Sequence, residues 1–352
     1  MGALKLDNEM LSDIVRSGVL APSADNQHVF RYELAKDSIN LWPNPEFEAT
    51  TEYHRRILGL ISLGAVVENM CLHAGRLGLS TDVQWWPPHS DGEGLFARLT
   101  FHQATPTEDD LAIAIPDRQT NRRMYSGPEL SKKEVADLVG EIDPSSGVRL
   151  LWLQGDSRRL ALRLLWRAES ERFHRENLHK EIFSSIRFDL TWKESANWAL
   201  PPGALEIETP MRPLFKALRR WSLMRFLNLF GVNYLVGARA ALIPCWNASS
   251  LAVLTTTLPL EQGAVAVGAA LERVWLRATR LNLAMQPLAA SVVLPLRDST
   301  VNGAPERFSS FLLNGWREIA PGTTPLMVFR IGRAQRPAVR SGRRPLSEYQ
   351  RT

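Results

Sequence analysis

Two long apolar segments stand out in the pattern of hydrophobic and polar positions along the chain. Residues 58–67 carry no charged side chain, and neither do residues 263–271. A helix that is apolar nearly all round lies inside a protein core, so the pattern predicts two buried helices. Each segment is followed by a residue that tolerates the left-handed conformation in which helices often end, Gly78 in one and Asn282 in the other.

The two segments are also similar in sequence. Residues 64–79 and 268–283 align without a gap and are identical at eight of sixteen positions. The identical pairs are Gly64/Gly268, Ala65/Ala269, Glu68/Glu272, Leu72/Leu276, Ala74/Ala278, Arg76/Arg280, Leu77/Leu281 and Leu79/Leu283. The offset is far longer than the roughly 20–50 residues of a solenoid repeat. A duplicated domain is therefore favoured over two core helices that converged on similar composition.

The other periodic segments complete an α+β pattern. In the first part, residues 7–20 have helical spacing, and strand-like runs follow at 29–34, 38–42, 81–86 and 95–102. Helices are predicted at 105–115 in the first part and at 131–141, 157–173 and 305–319 in the second, where strands are predicted at 148–153, 251–256, 291–296 and 326–331. Ser131 and Glu134 form a capping-box pattern at the start of the second of these helices. The prediction is two similar α+β halves, at residues 1–115 and 116–352.

Two segments have no counterpart in the first half. Residues 174–239 contain a Trp/Pro-rich stretch and a basic, amphipathic stretch at 214–230. Such a helix can lie on a membrane surface or bind a partner, or it can cover part of its own protein, where it would act as a lid over a site. Residues 333–352 are rich in Arg, Pro and Gly, which allows either a disordered tail or an extended arm packed on the body.

Composition limits the classes of function. A hydrophobic content of 45% with 22% charged residues is typical of a protein with a large core. The net charge of +5 is too small and dispersed to indicate nucleic-acid binding, but it favours anionic ligands. The two cysteines, Cys71 and Cys245, form neither a metal-ligand pattern nor a disulfide framework. The sequence has no signal-peptide pattern and no uncharged run long enough to span a membrane, so a cytoplasmic protein is expected.

Several catalytic motifs are missing. There is no dinucleotide-binding glycine fingerprint, no Walker loop, no nucleophile elbow and no metal-ligand spacing among the histidines. Hydrolytic, kinase and metal-dependent functions have no support.

Three stretches are candidates for ligand binding. Residues 117–123 hold three Arg, a Thr and an Asn, side chains that suit a phosphate, although a solvated basic loop has the same composition. Residues 340–345 add a second basic cluster that could share the anion. Residues 21–28 place small residues and amides between a helix and a strand, which suits either a flat polar heterocycle or a simple capped turn.

At these three stretches the chain resembles a known family. The A-P-S-x-x-N sequence before a hairpin, the R-x-T-N-R-R loop before a helix and the C-terminal R-R-P-L are similar to the nitroreductase superfamily of FMN proteins. The closest likeness is to its Acg-type branch of single-chain, internally duplicated members. The resemblance runs from about residue 7 to 349 and is weakest in the 174–239 insertion.

The resemblance implies a nitroreductase-like fold in which the two halves form a fused pseudo-dimer with one FMN site. The chain would be a monomer with pseudo-twofold symmetry, or it would associate further into a homodimer. In the family, one subunit binds the phosphate and the other lends its P-S-x-x-N loop to the ring. No metal and no acid or base side chain is implied. The residues implied to bind FMN are Pro22, Ser23, Asn26, His28, Arg118, Thr120, Asn121, Arg122, Pro287, Leu288, Ala289, Arg343 and Arg344.

The chain departs from the family pattern at two of these motifs. The family usually continues with x-Q-P-W, whereas Gln27 is followed here by His28, Val29 and Phe30, so His28 stands where the Gln is expected. Gln119 replaces a commonly basic residue in the phosphate loop.

The implied reaction is ping-pong hydride transfer from NADH or NADPH to a nitroaromatic, quinone or similar small-molecule acceptor. The alternative is a non-catalytic FMN-binding or storage protein in which the 174–239 insertion occludes the flavin.

Overall fold

Two four-stranded antiparallel sheets and two long helices that pack on each other form the framework of the protein. The computed structural model describes residues 6–87, 94–107, 110–296 and 305–351. All strand pairs in both sheets are antiparallel. The α+β class predicted from the sequence is confirmed.

The first sheet uses the strands of the N-terminal part of the chain. Its elements are α1 (Asn8–Val19), β1 (Phe30–Leu34), β2 (Ser38–Pro43), α2 (Pro45–Glu48), α3 (Tyr53–Arg76), β3 (Leu79–Trp85), β4 (Ala97–Gln103) and α4 (Leu111–Ala114). The spatial strand order is β1-β2-β4-β3. The predicted hairpin is present as β1 and β2, which pair in register from Phe30 opposite Pro43 to Leu34 opposite Ile39.

The second sheet repeats this plan with additional helices. Its elements are α5 (Lys132–Val139), β5 (Val148–Trp152), α6 (Gly155–His174), α7 (Glu176–Ser184), α8 (Arg212–Leu218), α9 (Trp221–Asn228), α10 (Val232–Gly237), α11 (Ile243–Trp246), β6 (Ser250–Thr256), α12 (Leu260–Arg280), β7 (Ala284–Leu288), α13 (Ala290–Val293), α14 (Glu306–Ile319) and β8 (Thr324–Gly332). The order β5-β6-β8-β7 matches the first sheet strand for strand. In both sheets a long helix connects the second strand to the third, so the two halves are similar.

The long helices α3 and α12 cross where their backbones touch. A Cβ atom at Gly64 would overlap the carbonyl oxygen of Val265, and one at Gly268 would overlap the carbonyl oxygen of Ile61. The contact is symmetric, because Ile61 and Val265 each lie three residues before the glycine of their own helix. One apolar core cluster extends across the crossing and includes residues of both halves.

The helix ends agree with the sequence prediction. Gly78 and Asn282 follow α3 and α12 with φ angles of 77° and 55°, in the left-handed region. At the start of α5, the Ser131 side chain accepts from the backbone N–H of Glu134, and the Glu134 carboxylate accepts from the backbone N–H of Ser131. These helix ends could be predicted from the sequence because helix capping depends only on neighbouring residues.

Three predicted elements are wrong or incomplete. Residues 291–296 are not a strand: α13 begins at Ala290, and the strand that pairs with β8 is β7. Pro287 made the sequence of β7 look unlike a strand, although proline is tolerated on an edge strand such as this one. The stretch 214–230 forms two helices instead of one. The acidic helix at 105–115 is only α4, and its residues 108 and 109 lie outside the described part of the chain.

We expect Gly64→Ala to destabilise the protein by about 2–4 kcal/mol, because the new methyl group would push α12 away from α3. This loss exceeds the roughly 0.5–1 kcal/mol that alanine gains over glycine in a helix. Urea unfolding measures the change. Gly94→Ala is the control, since a Cβ atom at Gly94 meets no atom within 4 Å. Equal stability of the two variants would contradict the close crossing.

Candidate functional site

A cavity of about 710 Å³ lies where the two halves meet the 174–239 insertion. This volume is within the range of pockets that hold drug-sized ligands and cofactors. Five parts of the chain line it: the loop after α1, the loop before α5, the insertion, the end of β7 and the C-terminal tail.

The loop after α1 forms the first-half wall, and Pro22, Ser23 and Asn26 line the cavity. Asp25 and Asn26 have φ angles of 53° and 58°, which turn the chain back sharply before β1. The backbone N–H of Ala24 donates to Ser62 Oγ on α3 at 3.3 Å, which fixes the loop on the long helix. The Ser23 hydroxyl is buried and has no hydrogen-bond partner among the described residues.

His28 does not reach the cavity, although it was predicted as a ligand-binding residue. Its Nε2 lies 2.8 Å from the Val19 carbonyl oxygen at the end of α1, so Nε2 carries the proton and donates it. The ring packs edge-on against Phe30 and Tyr349. Burial, together with the nearby Arg343, lowers the pKa of His28 to about 3. His28 therefore joins α1, β1 and the tail as a neutral side chain.

The loop before α5 forms the second-half wall, and Thr120 and Arg122 line the cavity. Asn121 between them turns away. Its amide Nδ2 donates to the Gln335 carbonyl at 2.8 Å, and its backbone N–H donates to the Met285 carbonyl at 3.0 Å. Asn121 therefore holds the loop against β7 and the tail, while its two neighbours are presented to the cavity.

Arg118 lines the cavity and is buried. Its Nε lies 3.3 Å from Glu272 Oε1, and its Nη2 donates to the Leu20 carbonyl at 2.9 Å. Its Nη1 is buried without a hydrogen-bond partner among the described residues. Burial raises the pKa of Glu272 to about 7, although the neighbouring Arg118 opposes that shift.

Arg343 in the tail holds the end of α1 in place. Its Nε donates to the Val19 carbonyl at 2.8 Å, and its Nη2 donates to the Ala21 carbonyl at 2.9 Å. Its Nη1 donates to Asn26 Oδ1 at 2.7 Å. The tail is thus an extended arm packed on the body, and Arg343 reaches the cavity wall with most of its donors already used. Arg344 lies outside the cavity, beside Glu348 at 3.6 Å.

The end of β7 closes another side of the cavity. Pro287, Leu288 and Ala289 all line it, as predicted, but the first two belong to a strand and not to a turn. Pairing of β7 with β8 holds this backbone firmly.

The insertion forms the remaining wall and is fastened to the first half. Asn26 Nδ2 donates to the Ala199 carbonyl at 3.1 Å, and His54 Nε2 lies 3.1 Å from both carboxylate oxygens of Glu181. Arg172 and Glu169 of α6 also line the cavity. These charged residues were missed by the sequence analysis, because no local motif marks them and only the folded chain places them around one space.

A buried carboxyl group lies among these charges. Burial raises the pKa of Asp25, while the nearby guanidinium groups of Arg172 and Arg55 oppose the increase. The cavity therefore contains both signs of charge: cations dominate beside the loop before α5, and carboxylates come from Asp25 and the insertion.

Comparison with known proteins gives a partial match to nitroreductases. No family model matches the chain. Two Mycobacterium tuberculosis proteins, MT3217 and Rv3131, each named by inference as an NAD(P)H nitroreductase, are 28% identical over 123 residues. The match covers 34% of this chain and 35% of each relative, so the chain spans about a third of the length of the curated relatives it matches.

Over these 123 residues the chain is similar to nitroreductases. Two solved structures are also similar. The FMN-dependent nitroreductase NfnB from Mycobacterium smegmatis, in complex with NADPH, has a TM-score of 0.39 and 19% identity over 69% of this chain and 99% of its own. A nitroreductase-like family protein from Bacillus cereus has a TM-score of 0.35 and 11% identity over 71% and 98%.

The motifs that carry the resemblance come from opposite halves and meet at one cavity. The P-S-x-x-N loop follows α1, whereas the R-x-T-N-R loop precedes α5 and the tail follows β8. Ten of the thirteen predicted residues line the cavity, and His28, Asn121 and Arg344 do not.

The stability of the protein should depend on pH through His28. The folded state keeps His28 neutral down to about pH 3, whereas the unfolded chain takes up a proton below about pH 6.5. Stability is therefore lost as the pH falls through this window, by about 1.4 kcal/mol per pH unit. His28→Gln retains a donor for the Val19 carbonyl and removes the titration. We expect the parent to lose stability relative to this variant between about pH 6.5 and 4.5 in urea unfolding. A difference that does not change with pH would contradict a neutral, buried His28.

Proposed function

We propose that this protein is an FMN-dependent oxidoreductase of the nitroreductase type, which transfers electrons from NADH or NADPH to a nitroaromatic, quinone or similar small acceptor. The observation that carries the proposal is the single cavity at which the P-S-x-x-N loop of one half meets the R-x-T-N-R loop and tail of the other. The partial match to NAD(P)H nitroreductases supports it.

Buried guanidinium groups favour an anionic ligand at one end of the cavity. Burial lowers the pKa of Arg118 and Arg122, and it lowers the pKa of Arg343 to about 10. A buried cation is stabilised when an anion replaces the lost water. The unpartnered Nη1 of Arg118 is a donor available for such an anion. These features fit the phosphate of FMN, which Thr120 and Arg122 would hold together with Arg118.

The loop after α1 suits the other end of the cofactor. Pro22 and Ser23 line the cavity, and the buried hydroxyl of Ser23 has no hydrogen-bond partner among the described residues. Pro287 and Ala289 also line the cavity, and neither has a charged side chain. FMN bound here would supply the two-electron chemistry, in ping-pong order between nicotinamide and acceptor. The chain's own contribution is to bind, to orient and to exclude water, and no side chain is assigned as an acid or a base.

We further propose that the chain is a fused pseudo-dimer, with halves at residues 1–115 and 116–352, that has one FMN site. The matching strand orders of the two sheets and the symmetric helix crossing support this division. The repeat positions Glu68 and Glu272 differ in environment, which supports one site instead of two. Glu272 is buried against Arg118 at the cavity, whereas Glu68 pairs with the partly exposed Arg273 at 2.9 Å.

A non-catalytic flavin-binding protein is the second candidate. The insertion favours it, because Asn26, His54 and Arg122 all bond to the insertion and so tie a wall across the cavity. A fixed wall would retain FMN and keep out nicotinamide.

We expect Arg122→Gln to lower the FMN content of the purified protein, with a loss of affinity of at least about tenfold from one missing charge-assisted contact. Flavin absorbance after desalting, followed by titration with FMN, measures the change. Arg123→Gln is the matched control, because Arg123 bonds to Glu206 and Gln335 instead of lining the cavity. Equal FMN affinity in both variants would refute the phosphate assignment.

We expect NADPH to bleach the bound flavin under nitrogen, and Glu181→Gln to speed this bleaching several-fold by loosening the insertion from His54 and Arg55. Stopped-flow absorbance measures the rate. Glu176→Gln, on the same helix but paired with Lys180, is the control and should match the parent. Flavin that stays oxidised in the parent and in both variants would favour the storage protein. Equal bleaching rates in all three would show that the insertion does not limit access.

A further inference from the structure

The insertion presents an apolar surface to solvent on the side away from the cavity. Phe226, Leu229, Phe230 and Leu235 are 57%, 78%, 72% and 70% exposed. We call these four residues the apolar tip. Soluble surfaces rarely gather large apolar side chains in this way unless the surface contacts something else.

The tip is formed by a sharp turn between helices. The segments Trp221–Asn228 and Val232–Trp246 meet at an angle of 103°. Gly231, with a φ of 74°, occupies the turn. The rings of Phe226 and Phe230 contact each other edge to face, with centroids 5.5 Å apart. The angle means that the two segments do not form one continuous spanning helix.

The helices that carry the tip are mounted firmly on the body. Asn228 Nδ2 donates to the Phe173 carbonyl at 3.0 Å, and Trp166 Nε1 donates to the Tyr234 carbonyl at 2.9 Å. Met224, on the inner face of α9, is fully buried. The exposed side chains are therefore held in place before any partner binds, which reduces the entropy lost on binding.

The charged residues of the segment that carries the tip all have one sign. Residues 209–260 contain no Asp or Glu and six basic residues, one more than the net charge of +5 of the whole chain. Lys216, Arg219, Arg220 and Arg225 are exposed. Arg225 lies one helical turn before Leu229, so this cation is directly beside the tip.

We propose that the insertion docks on an anionic lipid surface, with the apolar tip entering the acyl-chain boundary and the four cations lying at the headgroups. Lipid surfaces combine the two features that this patch matches, a negative potential and an apolar layer beneath it. A second copy of the chain matches only the apolar part, because face-to-face association would bring two cationic patches together. Within the described residues, α3 is the helix that is long and apolar enough to cross a membrane, and 78% of its apolar window is buried in the core.

The test is co-sedimentation of the purified full chain with vesicles of phosphatidylcholine alone, or with about a third phosphatidylglycerol, at about 0.1 M salt. We expect binding to the anionic vesicles only. Leu229→Ser combined with Phe230→Ser should weaken partitioning by at least about tenfold, because the apolar contribution is removed while every charge is kept. Arg219→Gln combined with Arg220→Gln should weaken it similarly and reduce its salt dependence.

The control is Ile113→Ser, at an apolar residue that is 50% exposed on α4, outside the insertion. It should bind like the parent. Circular dichroism checks that every variant is folded, and all the substituted side chains are exposed. Three outcomes overturn the proposal: no binding to anionic vesicles, binding unchanged by the Leu229 and Phe230 substitutions, or loss of a dimer on those substitutions without vesicle binding by the parent. None of these outcomes depends on FMN content, so the proposal can fail without affecting the proposed function.

Discussion

The backbone contact between α3 and α12 at Gly64 and Gly268 is the constraint on which the rest of the structure depends. Side chains larger than hydrogen would separate the two helices, and the separation would open the core cluster that both halves share. The contact is reciprocal, with each glycine facing the backbone of the residue three positions before the other. A symmetric crossing of this kind fixes where the two sheets lie relative to each other, and hence where the loops at their edges meet.

One helical turn beyond the crossing, the two halves differ. Glu68 and Glu272 are identical in the repeat, but Glu68 keeps contact with solvent whereas Glu272 is fully buried. A buried carboxylate needs a compensating cation, and Arg118 supplies one from the loop before α5. Because Arg118 also bonds to the end of α1, this ion pair ties both halves together beside the cavity. The asymmetry of the site therefore arises at a position where the sequence repeat is exact.

The two sides of the insertion have different surfaces. Its inner side completes the cavity with residues that include Glu181 of α7, next to Glu169 and Arg172 of α6. Its outer side carries the apolar tip and exposed basic side chains. Phe226 and Phe230 contact each other there, and Arg225 interacts with Glu176 of α7. Because the insertion has both surfaces, contact on its outer side is positioned to affect access to the cavity on its inner side.

The sequence by itself determined the elements whose causes are local. Uncharged segments predicted the buried helices, Gly78 and Asn282 predicted their ends, and Ser131 with Glu134 predicted the cap of α5, because spacing and backbone conformation depend on near neighbours. The internal repeat predicted the two halves. Only the tertiary structure decided which side chains reach the cavity. Asn121 and His28 lie within the right motifs but bond elsewhere, Arg343 is largely used by the end of α1, and β7 formed at a proline because β8 pairs with it. Hydrogen-bond partners such as Val19 for Arg343, or Glu181 for His54, come from distant parts of the chain, and no local pattern encodes them.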